Sequence, residues 1–352
     1  FTWAEPGYEL TQPTDLFRIG SATKPLTSIV INRLTEDTGP GALQMTATMQ
    51  SILDLHPPGG GAVADSRWND ITVSQLLISA GGWTTENLDP LFFDDVIAES
   101  FGTRLPVSKS QIATFMAGQP LQFTPGTQSI YSNFGFFLLG RIIEKLRPGR
   151  TYAQSVKDLI FQPLGLKRPT LGKESGRLKR EVTYEPTNPA IGPTVLNNSG
   201  KLVPSGYGDF NLGNADSAGS FVMSAPDYAK ILAAFDQPTN PLLTQASVDQ
   251  MWTAPLASEA AILRGWIQAW VPDEHGNTVN AYHHNGSLPG LATLVFHRAD
   301  GISFVLFFNR ELVPPNHVLY GEQQGRELSD IANEVTEWPS DDLFPTYGIP
   351  AF

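Results

Sequence analysis

The sequence predicts a mixed α+β fold in which an antiparallel sheet, built mainly from the last third of the chain and flanked by helices, packs against a mostly helical middle part. Two observations carry this. Apolar residues recur at the spacing of one helix face over 21–36 and 134–146, and strand-like segments at 265–271, 279–284, 292–297 and 302–308 follow one another through short connections. Length agrees, since 352 residues with 41% hydrophobic content suffice for a large core. The chain reads as a single domain over 1–352, with a sheet part at approximately 1–20 and 255–340 and a helical part at approximately 40–165.

In chain order, Phe17-Arg18-Ile19-Gly20 leads into Ser21 to Glu36, where Leu26, Ile29, Val30 and Leu34 mark one apolar face and Gly39-Pro40 is the stop. Pro25 then falls in the first turn, where its missing N–H costs little. Residues 41–160 carry further helical patterns broken by Pro57-Pro58-Gly59-Gly60-Gly61, Gly81-Gly82 and Pro125-Gly126. The strongest, Phe134 to Leu146, is preceded by Tyr131-Ser132-Asn133. Residues 165–215 are rich in Gly, Pro, Asn and Thr, a pattern of long loops and short strands over a cleft. Helices return at Ala225 to Phe235 and Thr244 to Trp252. The late strands are joined through Asp273 to Asn277, Gly286 to Gly290 and Ala299-Asp300-Gly301, connections short enough for an antiparallel meander. A helix over about Glu322 to Val335 and a Pro-containing acidic tail complete the pattern.

The formal charge of −12 argues against a nucleic-acid surface, which needs clustered Lys and Arg. The absence of cysteine excludes disulfides, thiolate metal sites and Cys nucleophiles. No apolar run approaches the roughly 20 residues that a bilayer crossing needs. The opening Phe1-Thr2-Trp3-Ala4-Glu5 has neither an initiator Met nor the regions of a signal peptide, and reads as a processed terminus.

Three motifs bear chemistry. Ser21-Ala22-Thr23-Lys24 sets a hydroxyl and an amine at i and i+3, neighbours on one helix face. A serine hydroxyl is a poor nucleophile until a base reaches it, and a partly buried lysine with a lowered pKa can serve or support that role. The bland alternative is a helix-start hydroxyl beside a surface lysine. Tyr131-Ser132-Asn133 is equally open in isolation, because aromatic residues before helices usually pack and asparagines there usually cap. His284-Asn285-Gly286 closes a strand, where glycine lets a backbone N–H approach a substrate oxygen, although a lone strand-end histidine is more often structural.

Order and context join these motifs. Ser21 opens a helix after Phe-Arg-Ile-Gly, Tyr131 lies between Phe123-Thr124-Pro125-Gly126 and an apolar helix, and His284 ends a meander strand. Further landmarks are Ile71-Thr72-Val73-Ser74-Gln75-Leu76-Leu77, Pro163-Leu164-Gly165-Leu166, and Ser217-Ala218-Gly219-Ser220 ahead of Ala225-Pro226-Asp227. Over roughly residues 1–310 the chain resembles the penicillin-recognising serine hydrolases of the β-lactamase and penicillin-binding-protein superfamily. These include class C β-lactamases, D,D-carboxypeptidases, D-aminopeptidases and family VIII esterases.

The resemblance implies a β-lactamase/transpeptidase-like fold and a serine hydrolase that works through an acyl-enzyme on small esters or on amide and D-amino-acid peptide bonds. It implies that Ser21 is acylated and that Lys24 and Tyr131 handle the protons. Asn133 is expected to hydrogen-bond the acyl side of the substrate. His284 is expected to line the leaving-group side, with Gly286 also on the substrate-binding strand, and the backbone N–H groups of Ser21 and Ser287 to form the oxyanion hole. No metal or organic cofactor is implied, the partner is a small ester, amide or peptide, and a periplasmic or secreted location is favoured over a cytoplasmic one.

Three departures stand out. About 20 residues precede Ser21, where the family usually has an additional helix and strand hairpin, so that part is expected to be incomplete. Ser79-Ala80-Gly81-Gly82 replaces a common His-Thr-Ser-Gly. His284 stands where class C β-lactamases have Lys. A histidine with a pKa of about 6.5 is largely neutral at pH 7, so neutral esters are expected to outrun carboxylate-bearing β-lactams, whose acylation should improve as pH falls through that titration. Competing readings are weaker. Ala215-Asp216-Ser217-Ala218-Gly219 approximates a nucleophile elbow but has loop-like flanks. Adjacent His283 and His284 point to opposite strand faces, which disfavours a shared metal. A binding module of the same fold with little turnover is the alternative from another class.

Overall fold

The computed structural model describes residues 11–39, 42–84, 89–186, 190–253, 262–311 and 322–352. Among these residues nine strands form three sheets. β1 (Phe17–Arg18), β2 (Thr170–Leu171) and β5 (Phe221–Met223) make a small sheet in the order β1-β5-β2, and β3 (Ile191–Pro193) pairs with β4 (Leu202–Pro204) in a separate hairpin. β6 (Ile267–Pro272), β7 (Thr278–Leu288), β8 (Leu291–Arg298) and β9 (Ser303–Phe308) make the antiparallel meander expected of the last third. β8 is buried along its whole length, with Phe296 facing the Glu322–Asn333 helix and Val295 facing the main core.

Two differences from the sequence reading bear on the site. β7 continues to Leu288, so the connection expected over Gly286 to Gly290 shrinks to Pro289-Gly290. Gly286 sits inside the strand because β7 passes hard against the turn before Ser21: a Cβ at Gly286 would stand 2.1 Å from the Ile19 carbonyl oxygen. Residues 17–18 belong to the small sheet and not to the meander sheet assigned to approximately 1–20 and 255–340. The Arg18 side chain anchors this segment further, its guanidinium donating to Glu181 at 3.0 Å and to the Gly206 carbonyl at 2.5 Å, near the rings of Tyr184 and Tyr207. Residues 1–10, 254–261 and 312–321 of that sheet part lie outside the described residues.

The middle of the chain is helical, as the breaker pattern predicts. Its centre is the helix Asn133–Leu146, whose Phe134 meets Trp68 and Trp83 edge-on, with centroids 6.2 and 5.0 Å away. Edge-to-face rings of this kind pack closely and fix orientation. The helix Lys24–Thr35 lies against it, with Leu26, Ile29, Val30 and Ile31 all in the core. Two of the most buried helices in the molecule therefore carry the Ser21 and Tyr131 motifs at their starts. No helix among the described residues is long and apolar enough to cross a membrane.

Candidate active site

Ser21 does not lie in the α-helix itself. It occupies a 3₁₀ turn, Gly20–Thr23, and the α-helix begins at Lys24. With about three residues per turn in a 3₁₀ helix, side chains at i and i+3 eclipse. Lys24 Nζ consequently stands 3.1 Å from Ser21 Oγ. At the other helix, Ser132 is the N-cap, its Oγ accepting from Gly135 N. That frees Asn133, the residue type that often caps there, to turn its side chain toward Lys24.

Four groups converge on the Lys24 amine, which is 1% exposed. Ser21 Oγ is one, and Tyr131 OH is 2.5 Å away, Asn133 Oδ1 2.7 Å and the Ala218 carbonyl 2.8 Å. Tyr131 OH also lies 2.5 Å from Ser21 Oγ and 3.1 Å from Asn133 Oδ1. Two of the four, Asn133 Oδ1 and the Ala218 carbonyl, only accept hydrogen bonds. A neutral amine has two N–H bonds and one lone pair. With both N–H groups given to those carbonyls, the lone pair faces the two hydroxyls.

Electrostatics favour that state. Burial pushes Lys24 down from its ordinary range to about 7, opposed by the negative charge of Asp89. Burial pushes the Tyr131 phenol up, so it keeps its proton at working pH. Of the two, Lys24 is the group that can take a proton near neutrality, and Tyr131 is placed to pass one.

Gly20 positions the neighbouring backbone. It has φ +51°, the left-handed region, and a Cβ there would stand 3.0 Å from Ser287 N. Glycine at 20 and at 286 lets the turn and β7 lie backbone to backbone, and Ser21 and Ser287 line the same hollow. The Ser21 amide belongs to the first turn of its helix, where N–H groups lack an intrahelical acceptor.

Before Ser21 lies a small hollow of about 50 Å³ walled by Leu91, Phe92, Phe210, Leu212, Leu288 and Gly219, with Ser21, Asn133 and Ser287 as its polar members. Among the described residues, no charged side chain lines it. Phe92 and Phe210 face each other with centroids 5.3 Å apart.

Several sequence expectations need correction. Asn133 lines the hollow as expected of a substrate-side residue, and its amide is also tied into the interior: Oδ1 accepts from Lys24, and Nδ2 gives one of its two N–H bonds to Asp89 at 2.7 Å. Gly286, expected on the substrate side, is buried against Ile19 and serves close packing instead. His284, expected to face the leaving group with an ordinary pKa, is 4% exposed and lies beside the Tyr131 ring at 6.3 Å. Burial, reinforced by the charge of Lys24, drives it down to about 3. It is therefore neutral throughout the working range, and its titration provides no route to faster β-lactam acylation there. Ser217 of the elbow-like segment is fully buried in the short helix Asp216–Gly219, with its Oγ 3.2 Å from Asp216 Oδ1, and has no histidine partner among its hydrogen bonds. His283 stacks on Phe296, and the described residues contain no group of three or more His, Cys, Asp or Glu that could hold a metal.

Sequence reasoning missed Asp89, the Ala218 carbonyl and the aromatic wall. Asp89 lies 44 residues before its partner Asn133 and Ala218 lies 194 after Lys24, and no local pattern marks either.

A family model described as Beta-lactamase matches residues 5–323, nearly the whole chain. The chain belongs to the beta-lactamase family. The lovastatin esterase of Penicillium rubens is 28% identical to it over 264 residues, which are 71% of this chain and 62% of the esterase. The chain thus spans less than two thirds of that relative's length. The D-stereospecific amidohydrolase from Streptomyces sp. superposes with a TM-score of 0.61 at 25% identity, covering 84% of this chain and 82% of that one. The D-amino acid amidase from Ochrobactrum anthropi gives a TM-score of 0.66 at 20% identity over 94% of this chain and 92% of that one, a likeness of fold. The mixed α+β architecture anticipated from helix period and late meander is the beta-lactamase/transpeptidase-like fold.

Proposed function

We propose that this chain is a serine carboxylesterase that works through an acyl-enzyme on small, neutral esters with an apolar acyl group. The observation that carries the reading is the Lys24 amine, desolvated and directed by two carbonyls toward the hydroxyls of Ser21 and Tyr131. Ser21 Oγ attacks the ester carbonyl while its proton passes to Lys24, directly or through Tyr131. The oxyanion forms at the N–H groups of Ser21 and Ser287, where preorganised donors contribute on the order of several kcal/mol. As the C–O bond breaks, the same proton moves to the departing alkoxide, leaving Ser21 acylated. Water then repeats the sequence, its proton taken by the Lys24 and Tyr131 pair, and the acid is released.

The choice of neutral esters rests on the hollow, whose described walls are apolar and aromatic and offer no charged side chain to a substrate. Amide and D-amino-acid substrates, named for the solved relatives, use the same machinery and are the second class to test. A panel of p-nitrophenyl esters, D-amino-acid amides and a penicillin, read by turnover and by intact mass, separates these classes. One product equivalent without further turnover would support the binding-module alternative. Phe92 is 46% exposed, so Phe92→Ala should leave the fold intact. It is expected to raise the preference for octanoyl over acetyl esters by about 3- to 10-fold in kcat/KM, the size of a few methylene contacts. An unchanged ratio would remove the wall from acyl selection.

The pH dependence follows from the same geometry. Acylation requires neutral Lys24, so kcat/KM should rise with pH through an apparent pKa near 7, the value to which burial brings this amine. His284 titrates far below this at about 3, so the limb should persist in His284→Gln. Loss of the limb in that variant would assign it to the histidine.

A further inference from the structure

Asp89 lies in the segment before the Pro90–Phe92 turn and is 8% exposed, outside the lining of the hollow. Its two carboxylate oxygens have separate tasks. Oδ1 accepts from Leu91 N at 3.2 Å, capping the turn that presents Leu91 and Phe92 to the hollow. Oδ2 accepts from Asn133 Nδ2 at 2.7 Å.

The second bond decides which way the Asn133 amide faces. A carboxylate accepts and cannot donate, so it holds the NH₂ end. The carbonyl end must then face Lys24 Nζ and Tyr131 OH, at 2.7 and 3.1 Å. A flipped amide would set its oxygen against the carboxylate and its NH₂ against the Lys24 N–H, two repulsive contacts in a desolvated site. The Asn133 carbonyl is in turn one of the two acceptors that take the Lys24 N–H bonds, the other being Ala218 O.

We infer that Asp89 is a positioning residue: by fixing the Asn133 amide it aims the Lys24 lone pair at the hydroxyls of Ser21 and Tyr131. The inference rests on the acyl-enzyme reading. It assigns a task to a residue that touches neither the hollow nor the nucleophile. It also gives the buried charge a second effect, because the charge of Asp89 opposes the burial that lowers Lys24. Among the described residues, the other titratable groups facing Lys24 are the Tyr131 phenol and the neutral His284 imidazole.

The test uses the full chain with p-nitrophenyl acetate and a fluorophosphonate probe, comparing Asp89→Asn, Asn133→Ala and the double variant, each checked by thermal melting. Asp89→Asn, whose own amide can turn either end to Asn133, should lower the acylation rate by about 10- to 100-fold, the scale of a slightly misaimed base. The double variant should be little slower than the slower single one, since both act through the same amide. The acid limb of Asp89→Asn should also move to lower pH, because the charge that raises Lys24 is gone; Asp89→Glu, which keeps that charge, should hold the limb near its original place. A merely structural residue would lower stability and leave the limb unmoved. Should Asp89→Asn fold poorly, Asp89→Ser and the Asn133→Ala background carry the same comparison. Wild-type rate and limb in Asp89→Asn, or single losses that multiply in the double variant, would overturn the inference. Failure of the probe to label Ser21 in the unmodified chain would instead sink the acyl-enzyme reading itself.

Discussion

Ser21→Ala is expected to lower esterase turnover by about 10³-fold or more and to abolish covalent labelling by a fluorophosphonate. The size of the effect comes from removing the atom that forms the acyl bond, while the backbone donors and the hollow remain in place. Folding should be little affected, because the serine side chain is partly exposed at the start of a turn whose geometry depends on Gly20 and on packing against β7. Ser217→Ala is the informative control. Its hydroxyl is buried against Asp216 and the Asn133–Leu146 helix, so labelling should survive there. The opposite pattern, labelling kept in Ser21→Ala and lost in Ser217→Ala, would refute the assignment of the nucleophile.

The second large effect concerns Lys24 and Tyr131. Lys24→Ala and Tyr131→Phe should each lose about 10²- to 10⁴-fold in kcat, the usual range for removal of a general base or its proton relay. The double substitution should lose little more than the worse single one. Each hydroxyl and the amine lie within 3.1 Å of the other two, so a proton leaving Ser21 has one shared destination, and removing either member breaks the same path. Losses that multiply would require two independent roles. Rapid quench with a chromogenic ester measures acylation separately from deacylation and so locates the step in which the pair acts.

The sequence made some of this visible for identifiable reasons. Ser21 and Lys24 are local, and an i, i+3 spacing has a definite spatial meaning whether the turn is α or 3₁₀. The helix at 134–146 and the four late strands declare themselves by period and by the short connections between them. Tyr131 was readable only through its context, since nothing in the residue itself points 110 positions back to Ser21. Asp89 and the Ala218 carbonyl were not readable at all. The former is one carboxylate among many, and the latter is a main-chain atom with no side-chain signature. His284 was found at its place on the strand, but its charge state was misjudged, because burial is a tertiary property and an unperturbed pKa assumes water on every side. Gly286 reads as a strand end in the sequence and marks a close crossing of two backbones in the structure, and glycine signals both.

The desolvated amine of Lys24 also links the energetics of folding to those of proton uptake. In the unfolded chain a lysine binds its proton up to its ordinary value of 10.5, whereas in the folded protein this one lets go at about 7. Its contribution to stability is therefore fully present above the upper value, declines as the pH falls through this interval, and is lost below the lower one. The difference is on the order of 5 kcal/mol, comparable with the entire net stability of a marginal domain. The deep helical packing around Lys24 thus has a thermodynamic meaning beyond architecture: it is the reserve against which a proton acceptor useful at neutral pH is held ready, and a less well packed relative would have to surrender either the fold or the base.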